Sequence, residues 1–393
     1  MTFVDKLEVL RTKFEALKPE LEVTVKDETE GVEGYVVVWN TKISENGPLH
    51  KCGKGGTRIH DKLSMDEVKM LAKTMALKNA AAGLPLGGSK SGLKADPKSA
   101  GFEKKYRRFV DLCRPYLHEN GGVFGGFGFD IGANPIHAHW ACDELGSTRS
   151  FTGKSPEMGG TDYDREGIAG LGVAVSAKTV LEESGKSAQG ASFAVQGIGA
   201  MGAAVIRYFS EYGGVLNVVS DPRLNGTWKL KDVPTDELIN ALSVQDIRVI
   251  KSCLSKEATQ ISDSSDDPLY ADVDVAFPCA VQNVITSENV DRIKASFLVE
   301  GANNPTYAHG YAVLARHGVY VVPDFIANPG GVIAAFVELT SDSSEKAEEA
   351  KDMTRSKISM NVKEMVALAK EHNVLPRDAG LFLAYSRVFT EVE

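Results

Sequence analysis

Apolar positions change rhythm along the chain, and each change predicts an element. Phe3, Leu7, Leu10, Phe14 and Leu17 return every three or four residues, which predicts an amphipathic N-terminal helix. Leu21-Glu-Val-Thr-Val25 and Tyr35-Val-Val-Val-Trp39 alternate or run β-branched, which predicts strands. Asp66 to Ala82 is helical by spacing, through Leu71, Met75 and Lys78, until Gly83 and Pro85 stop it, and Asp96 to Tyr116 predicts another helix. Further on the rhythm becomes short apolar runs, each leading into a loop: Ser192–Val195, Val215–Val219, Val273–Ala280 and the runs that begin at Phe297 and Val319. With helical segments between them, these read as strands of a parallel sheet, and residues 224 to 270 as surface elements of the same alternation. Beyond Phe336 the pattern is helical and highly charged.

The order of elements predicts a two-domain α/β protein. Residues 1–150 form an α/β substrate-binding and oligomerisation domain, completed by C-terminal helices of about 345–393. Residues 151–344 form a doubly wound dinucleotide-binding domain of the Rossmann kind, and the turn-rich stretch Thr152 to Gly160 is the hinge. A chain of 393 residues is too long for one small core, which agrees with two domains.

Composition narrows the class. A net charge of −9 argues against a nucleic-acid partner, and no apolar run is long enough to span a bilayer. The N-terminus lacks the features of a signal peptide, so the expected location is cytoplasmic, with no membrane partner. Five scattered cysteines, with no Cys-x-x-Cys pair, read as reduced thiols; Cys52 alone lies near candidate chemistry. His137 and His139 are two apart but have no third ligand near in sequence, so no metal site is expected.

The candidate chemistry starts with Met75 to Lys94, where Lys78 and Lys90 flank a glycine-rich segment expected to bend. Gly87 and Gly88 remove side chains beside Lys90 and would let a small molecule approach. Lysines converging in a partly dry site lower one another's pKa, which makes one of them a proton acceptor near neutral pH. Lys54 is a third candidate lysine. The second signal is Ser192-Phe-Ala-Val-Gln-Gly197-Ile-Gly199-Ala200-Met201-Gly202, a strand running into Gly-x-Gly-x-x-Gly and then a helix. The glycines permit a tight turn, the approach of a pyrophosphate and helix-on-strand packing. A second strand ends about twenty residues later at Asp221, an acidic residue that favours NAD; Arg223 two residues on leaves NADP possible.

Lys-Asn-Ala-Ala-Ala-Gly-Leu-Pro-Leu-Gly-Gly-Ser-Lys90 resembles the signature of the glutamate/leucine/phenylalanine/valine dehydrogenase family, and Lys54-Gly-Gly-Thr-Arg58 resembles that family's Lys-Gly-Gly-x-Arg segment. The resemblance runs from about residue 35 to the end. It implies reversible oxidative deamination of an L-amino acid to a 2-oxo acid and ammonia, with Lys90 catalytic and Lys78 holding the α-carboxylate, together with Arg165. Asp130 matches the essential aspartate by its distance from Trp140, although Gly-Phe-Gly-Phe precedes it. Glu300-Gly-Ala-Asn303-Asn-Pro-Thr implies that Asn303 meets the nicotinamide amide. Ala280, after its strand, and Asn328 of Asn-x-Gly-Gly-Val are further cofactor contacts, while Ala169 stands where the family has threonine. The family's usual hexamers or octamers imply a homo-oligomer.

For the substrate side chain the residues divide. Lys54 stands where glutamate-specific members contact the side-chain carboxylate, and a buried lysine calls for an anion. Ala335 stands where they carry serine. An acidic amino acid, glutamate first, is the expected substrate, and a branched-chain or aromatic one the alternative. An alternative of another class is a catalytically idle nucleotide-binding regulatory protein, which loss of Lys90 or Asp130 would have supported, though both are present; a hydroxyacid dehydrogenase would need a His/Arg pair.

Overall fold

The computed structural model describes residues 1–389 and divides the chain into two compact units. The first comprises Met1–Asp162, Val332–Ala350 and the chain from Phe382 onward; the second comprises Tyr163–Gly331 and Lys351–Leu381. The break thus falls at residue 162 rather than about 150, and most of the C-terminal helical region expected with the first domain belongs to the second unit.

In the first unit, α1 (Phe3–Ala16) starts on a Thr2/Asp5 capping box. It packs Phe14 against Tyr385, with ring centroids 5.1 Å apart. A five-stranded sheet follows, built from β1 (Leu21–Asp27), β2 (Val32–Trp39), β3 (Gly53–Lys54), β4 (Thr57–Ile59) and, after α2 (Met65–Ala81), β5 (Gly87–Leu93). β2 pairs antiparallel with β1 and β5, while β3 and β4 run parallel to β5. The unbroken Tyr35–Trp39 run is buried on both faces. Val36 and Val38 pack with Phe109 of α3 (Phe102–Cys113), and Tyr35, Val37 and Trp39 pack with Ala72 and Ala76 of α2.

The glycine-rich segment expected to bend is instead the buried strand β5. Its glycines answer to packing. A Cβ on Gly88 would lie 2.2 Å from the Ala76 nitrogen of α2, and one on Gly87 would lie 2.7 Å from the Trp39 carbonyl oxygen. They admit neighbouring backbone rather than a ligand. The unit continues through β6 (Phe127–Gly128), α4 (Pro135–Leu145) and β7 (Phe151–Thr152), with β6 and β7 paired in parallel.

The second unit opens with α5 (Tyr163–Glu166) and α6 (Ile168–Glu183), then β8 (Ser192–Gln196), α7 (Ala200–Glu211) and β9 (Val215–Asp221). Residues 224–270 are not part of the parallel alternation. β10 (Gly226–Leu230) returns antiparallel to β9 and, beyond α8 (Asp236–Ser243) and α9 (Ile247–Glu257), pairs antiparallel with β11 (Ala258–Ser262). The turn residues Asn225 and Gly226, both at positive φ, reverse the chain. β12 (Val275–Pro278), β13 (Phe297–Val299) and, after α10 (Gly310–Arg316), β14 (Tyr320–Val322) complete a seven-stranded sheet in the order β11-β10-β9-β8-β12-β13-β14. The strand order reverses between β8 and β12, a topological switch point at whose carboxyl ends dinucleotides bind.

The remaining helices are α11 (Asp324–Ala327), α12 (Gly330–Thr340), α13 (Lys346–His372) and α14 (Pro376–Phe389). All five cysteines are buried and free. Among the described residues, no helix is long and apolar enough to cross a membrane, and no group of three His, Cys, Asp or Glu could hold a metal. His137 is buried among Phe102, Tyr106 and Trp140.

Candidate active site

Lys90 lies on β5 opposite Val37, on the same strand face as Gly88 and Gly92 by the alternation of side chains. The space those glycines leave is filled by α2 and by Leu63, and Lys90 itself is 5% exposed. Its Nζ lies 2.7 Å from Oδ2 of Asp130. The loop carrying Asp130 reaches that position because Gly56 has no side chain; a Cβ there would lie 2.5 Å from the Phe129 carbonyl oxygen. Burial lowers the Lys90 pKa, against the opposing pull of Asp130. Burial raises that of Asp130, but Lys90 and Arg58 outweigh it and hold the carboxyl below its ordinary value. The pair therefore rests with Asp130 ionised.

Arg58 is a site residue that the sequence reading left without a role. From β4 its Nε donates to Asp130 Oδ2 at 2.9 Å and its Nη1 to Glu67 Oε1 at 3.1 Å. His60 Nε2 stands 3.1 Å from Glu67 Oε2, so Lys90, Asp130, Arg58, Glu67 and His60 form one chain of polar contacts. The available signal was the Arg of the Lys-Gly-Gly-x-Arg segment; its partners lie 72 and 9 residues away.

Lys78 is half-buried in the last turn of α2. Asn79 beside it donates to the carbonyls of Lys54 and Gly87, at 3.1 and 2.8 Å, and so ties the helix end to β3 and β5. Lys54 is 3% exposed and spends its three N–H donors on main-chain carbonyls: Phe127 at 2.5 Å, Gly126 at 2.9 Å and Gly55 at 3.2 Å. It is not the unpaired lysine that the sequence suggests. Its acceptors are nevertheless neutral, no carboxylate stands within ion-pair distance among the described residues, and burial pulls its pKa down to about 7.

Ala335 is buried on α12, three residues before Glu338. Glu338 is wholly enclosed and accepts from Lys154 Nζ at 2.9 Å, Thr161 Oγ1 at 2.6 Å and the amides of Thr161 and Gly153. Nothing local in sequence announces a pair 184 residues apart. Arg165 is an exposed residue of α5 in the second unit, where it lines a cavity with Ala200 and Arg207.

In the second unit the glycine loop is built for an anion. Gly197 takes φ +85°, and a Cβ on Gly202 would lie 1.8 Å from the Gly197 carbonyl oxygen, so α7 can sit tight on the loop. A Cβ on Gly199 would meet nothing within 4 Å, and Gly199 caps α7 without any side-chain hydrogen bond. The first N–H groups of α7, Met201 among them, are thus left for a ligand. Ala280, exposed after β12, stops 2.9 Å from the Cβ that Gly197 lacks.

Asn328 Nδ2 donates to Gly301 O and to Asn303 Oδ1, both at 3.0 Å, while its buried Oδ1 finds no donor. Glu300, fully buried with its pKa pushed up to about 8 by burial, accepts from Tyr311 and from the Asp324 amide. Asp324 in turn accepts from the Asn304 amide, so Asn303 sits in a braced segment. Asp221 is buried and turned into the loop, where it meets Ile198 and Arg223. These residues fit a dinucleotide: an open helix N-terminus for pyrophosphate and an orphaned amide oxygen for a carboxamide.

The glycine loop and the strand order of the second unit fit a nicotinamide-dependent dehydrogenase. Residues 159–393 match the family model for Glutamate/Leucine/Phenylalanine/Valine dehydrogenase, and residues 17–146 that of the Glu/Leu/Phe/Val dehydrogenase dimerisation domain; the chain belongs to this family. It is 31% identical over 375 residues to the NADP(+)-dependent glutamate dehydrogenase of Pyrobaculum calidifontis, covering 92% of this chain and 86% of that one. It is also 31% identical to the NAD-specific glutamate dehydrogenase A of Halobacterium salinarum, with 93% and 84% covered. The hetero-hexameric glutamate dehydrogenase of Thermus thermophilus shares the fold at a TM-score of 0.76 and 24% identity, covering 98% and 94%. The chain is an amino acid dehydrogenase that works with NAD or NADP.

Proposed function

We propose that the amino acid is L-glutamate, converted reversibly to 2-oxoglutarate and ammonia. The observation that carries this reading is Lys54: a fully buried ammonium, satisfied in hydrogen bonds yet without a counter-ion. A charge so placed is costly, and a substrate side-chain carboxylate would supply the missing opposite charge. The names of the most similar relatives support the same substrate. Lys78 holds the α-carboxylate as a fixed positive charge.

Gly197, Gly199, Gly202 and Asn303 would hold a nicotinamide dinucleotide, which would supply the hydride acceptor. Hydride loss from Cα leaves an iminium, which water attacks. Neutral Lys90 takes the proton from that water; burial, which lowers its pKa, favours the uncharged amine that this role needs. Asp130, 2.7 Å away, relays the proton toward the departing amine. Arg58 keeps Asp130 ionised for that role.

The second reading, a branched-chain or aromatic substrate, rests on Ala335, which offers the site no hydroxyl. Reduced-cofactor formation over a panel of glutamate, aspartate, leucine, valine and phenylalanine, repeated with Lys54→Leu, tests both. Glutamate activity lost in the variant supports our reading; apolar activity that survives it supports the other. The free, buried thiols fit a cytoplasmic protein.

A further inference from the structure

Asp221 ends β9, where an acidic residue ordinarily takes the hydroxyls of the adenosine ribose. Here its capacity is already filled. Oδ2 accepts from the Ile198 amide at 3.0 Å and from Arg223 Nη2 at 3.1 Å, and Oδ1 accepts from the Arg223 amide at 2.9 Å and from Arg223 Nε at 2.7 Å. A carboxylate offers about four lone-pair sites, and four donors from the protein occupy them. The carboxylate is also the inner partner, its side chain 8% exposed against 44% for Arg223. Arg223 Nη2 donates as well to the Ile198 carbonyl at 2.9 Å, which lays the guanidinium along the glycine loop. Its Nη1 makes no hydrogen bond among the described residues. A ribose arriving beside this loop therefore meets an outward guanidinium with donors to spare, not a bare carboxylate.

We infer that Arg223 is the residue that sets cofactor choice, and that it takes a 2′-phosphate on the adenosine ribose, so that the chain binds NADP in preference to NAD. This reverses the simple reading of Asp221 from sequence. Asp221 becomes a positioning residue: it holds Arg223 extended and ties it to Ile198. A guanidinium recognises phosphate by charge-assisted hydrogen bonds, and the outward Nη1 stays open to the ligand while Nε and Nη2 remain on Asp221. The inference rests on the dinucleotide site of the proposed function, but not on its amino acid.

The test is calorimetric titration of the full chain with NADP+, NAD+, adenosine 2′,5′-bisphosphate and 5′-AMP, with no amino acid present. The expected result is tighter binding of both 2′-phosphorylated ligands. Arg223→Ala should weaken those two by roughly tenfold or more while leaving NAD+ and 5′-AMP unchanged or tighter. Arg223→Lys should keep part of the preference. Tighter binding of NAD+ by the unaltered chain, or equal effects of Arg223→Ala on all four ligands, overturns the assignment. Glutamate oxidation with NAD+ alone would sink this inference and leave the reaction standing; NADP+ binding through Arg223 without turnover of any amino acid would do the reverse.

Discussion

Lys90 and Asp130 lie 40 residues apart in the chain, yet Lys90 Nζ stands 2.7 Å from Asp130 Oδ2. The contact exists because Gly56 lets the Asp130 loop close over the strand edge. Replacing Lys90 by Met or Asp130 by Asn should each lower kcat by roughly 10²–10⁴-fold, the range for a lost general acid or base. Circular dichroism should show the fold retained, which separates lost chemistry from lost structure. Turnover within a few-fold of the unaltered enzyme would remove the pair from the mechanism.

Arg58→Met should act through Asp130. Without the guanidinium, burial alone acts against ionisation, so the Asp130 pKa rises. The acid limb of the kcat profile should then move to higher pH while KM for the cofactor stays as it was. An unmoved limb would make Arg58 a brace for Glu67 and no more.

Glutamate affinity should fall as pH rises above neutrality. In the free protein Lys54 carries its proton only below about 7, because burial disfavours the charge. A bound side-chain carboxylate needs the ammonium, so glutamate binding takes up a proton above that pH, and KM for glutamate should rise up to about tenfold per pH unit there. Calorimetry in buffers of different ionisation enthalpy would register the uptake; its absence would detach Lys54 from the substrate.

Two glycines should respond in opposite ways. A Cβ on Gly88 would lie 2.2 Å from the Ala76 nitrogen, so Gly88→Ala must push α2 off the sheet and cost about 1–3 kcal/mol or more. Gly199 has ordinary backbone angles and open space around it, so Gly199→Ala should melt like the unaltered protein yet bind dinucleotide more weakly. Thermal melting and dinucleotide titration of both variants would check this, and equal melting losses would contradict it.

Much of this was legible in the chain. Strands and helices followed from period and β-branching, and the glycine loop announced itself because strand, glycines and helix stand within a dozen residues. β5 escaped because glycine, serine and lysine are poor strand formers; only burial against β2 and α2 makes Gly87–Leu93 a strand. The β10–β11 excursion escaped because direction depends on pairing partners, which period does not encode. The pairings of Arg58 with Asp130, Lys154 with Glu338 and Asp221 with Ile198 escaped because each contact closes through space. The glycines beside Lys90 were visible, but their reason, the close approach of α2, was not.

The five cysteines give the molecule a chemical clock. Each is enclosed, and burial raises every thiol, Cys52 to about 12 and Cys142 to about 11. The thiolate is the species that reacts, so the native chain should resist alkylation and air oxidation near neutral pH. Cys52, Cys113 and Cys142 belong to the first unit, and Cys253 and Cys279 to the second. Labelling followed residue by residue would therefore time the opening of each unit separately, from a signal the sequence already carries.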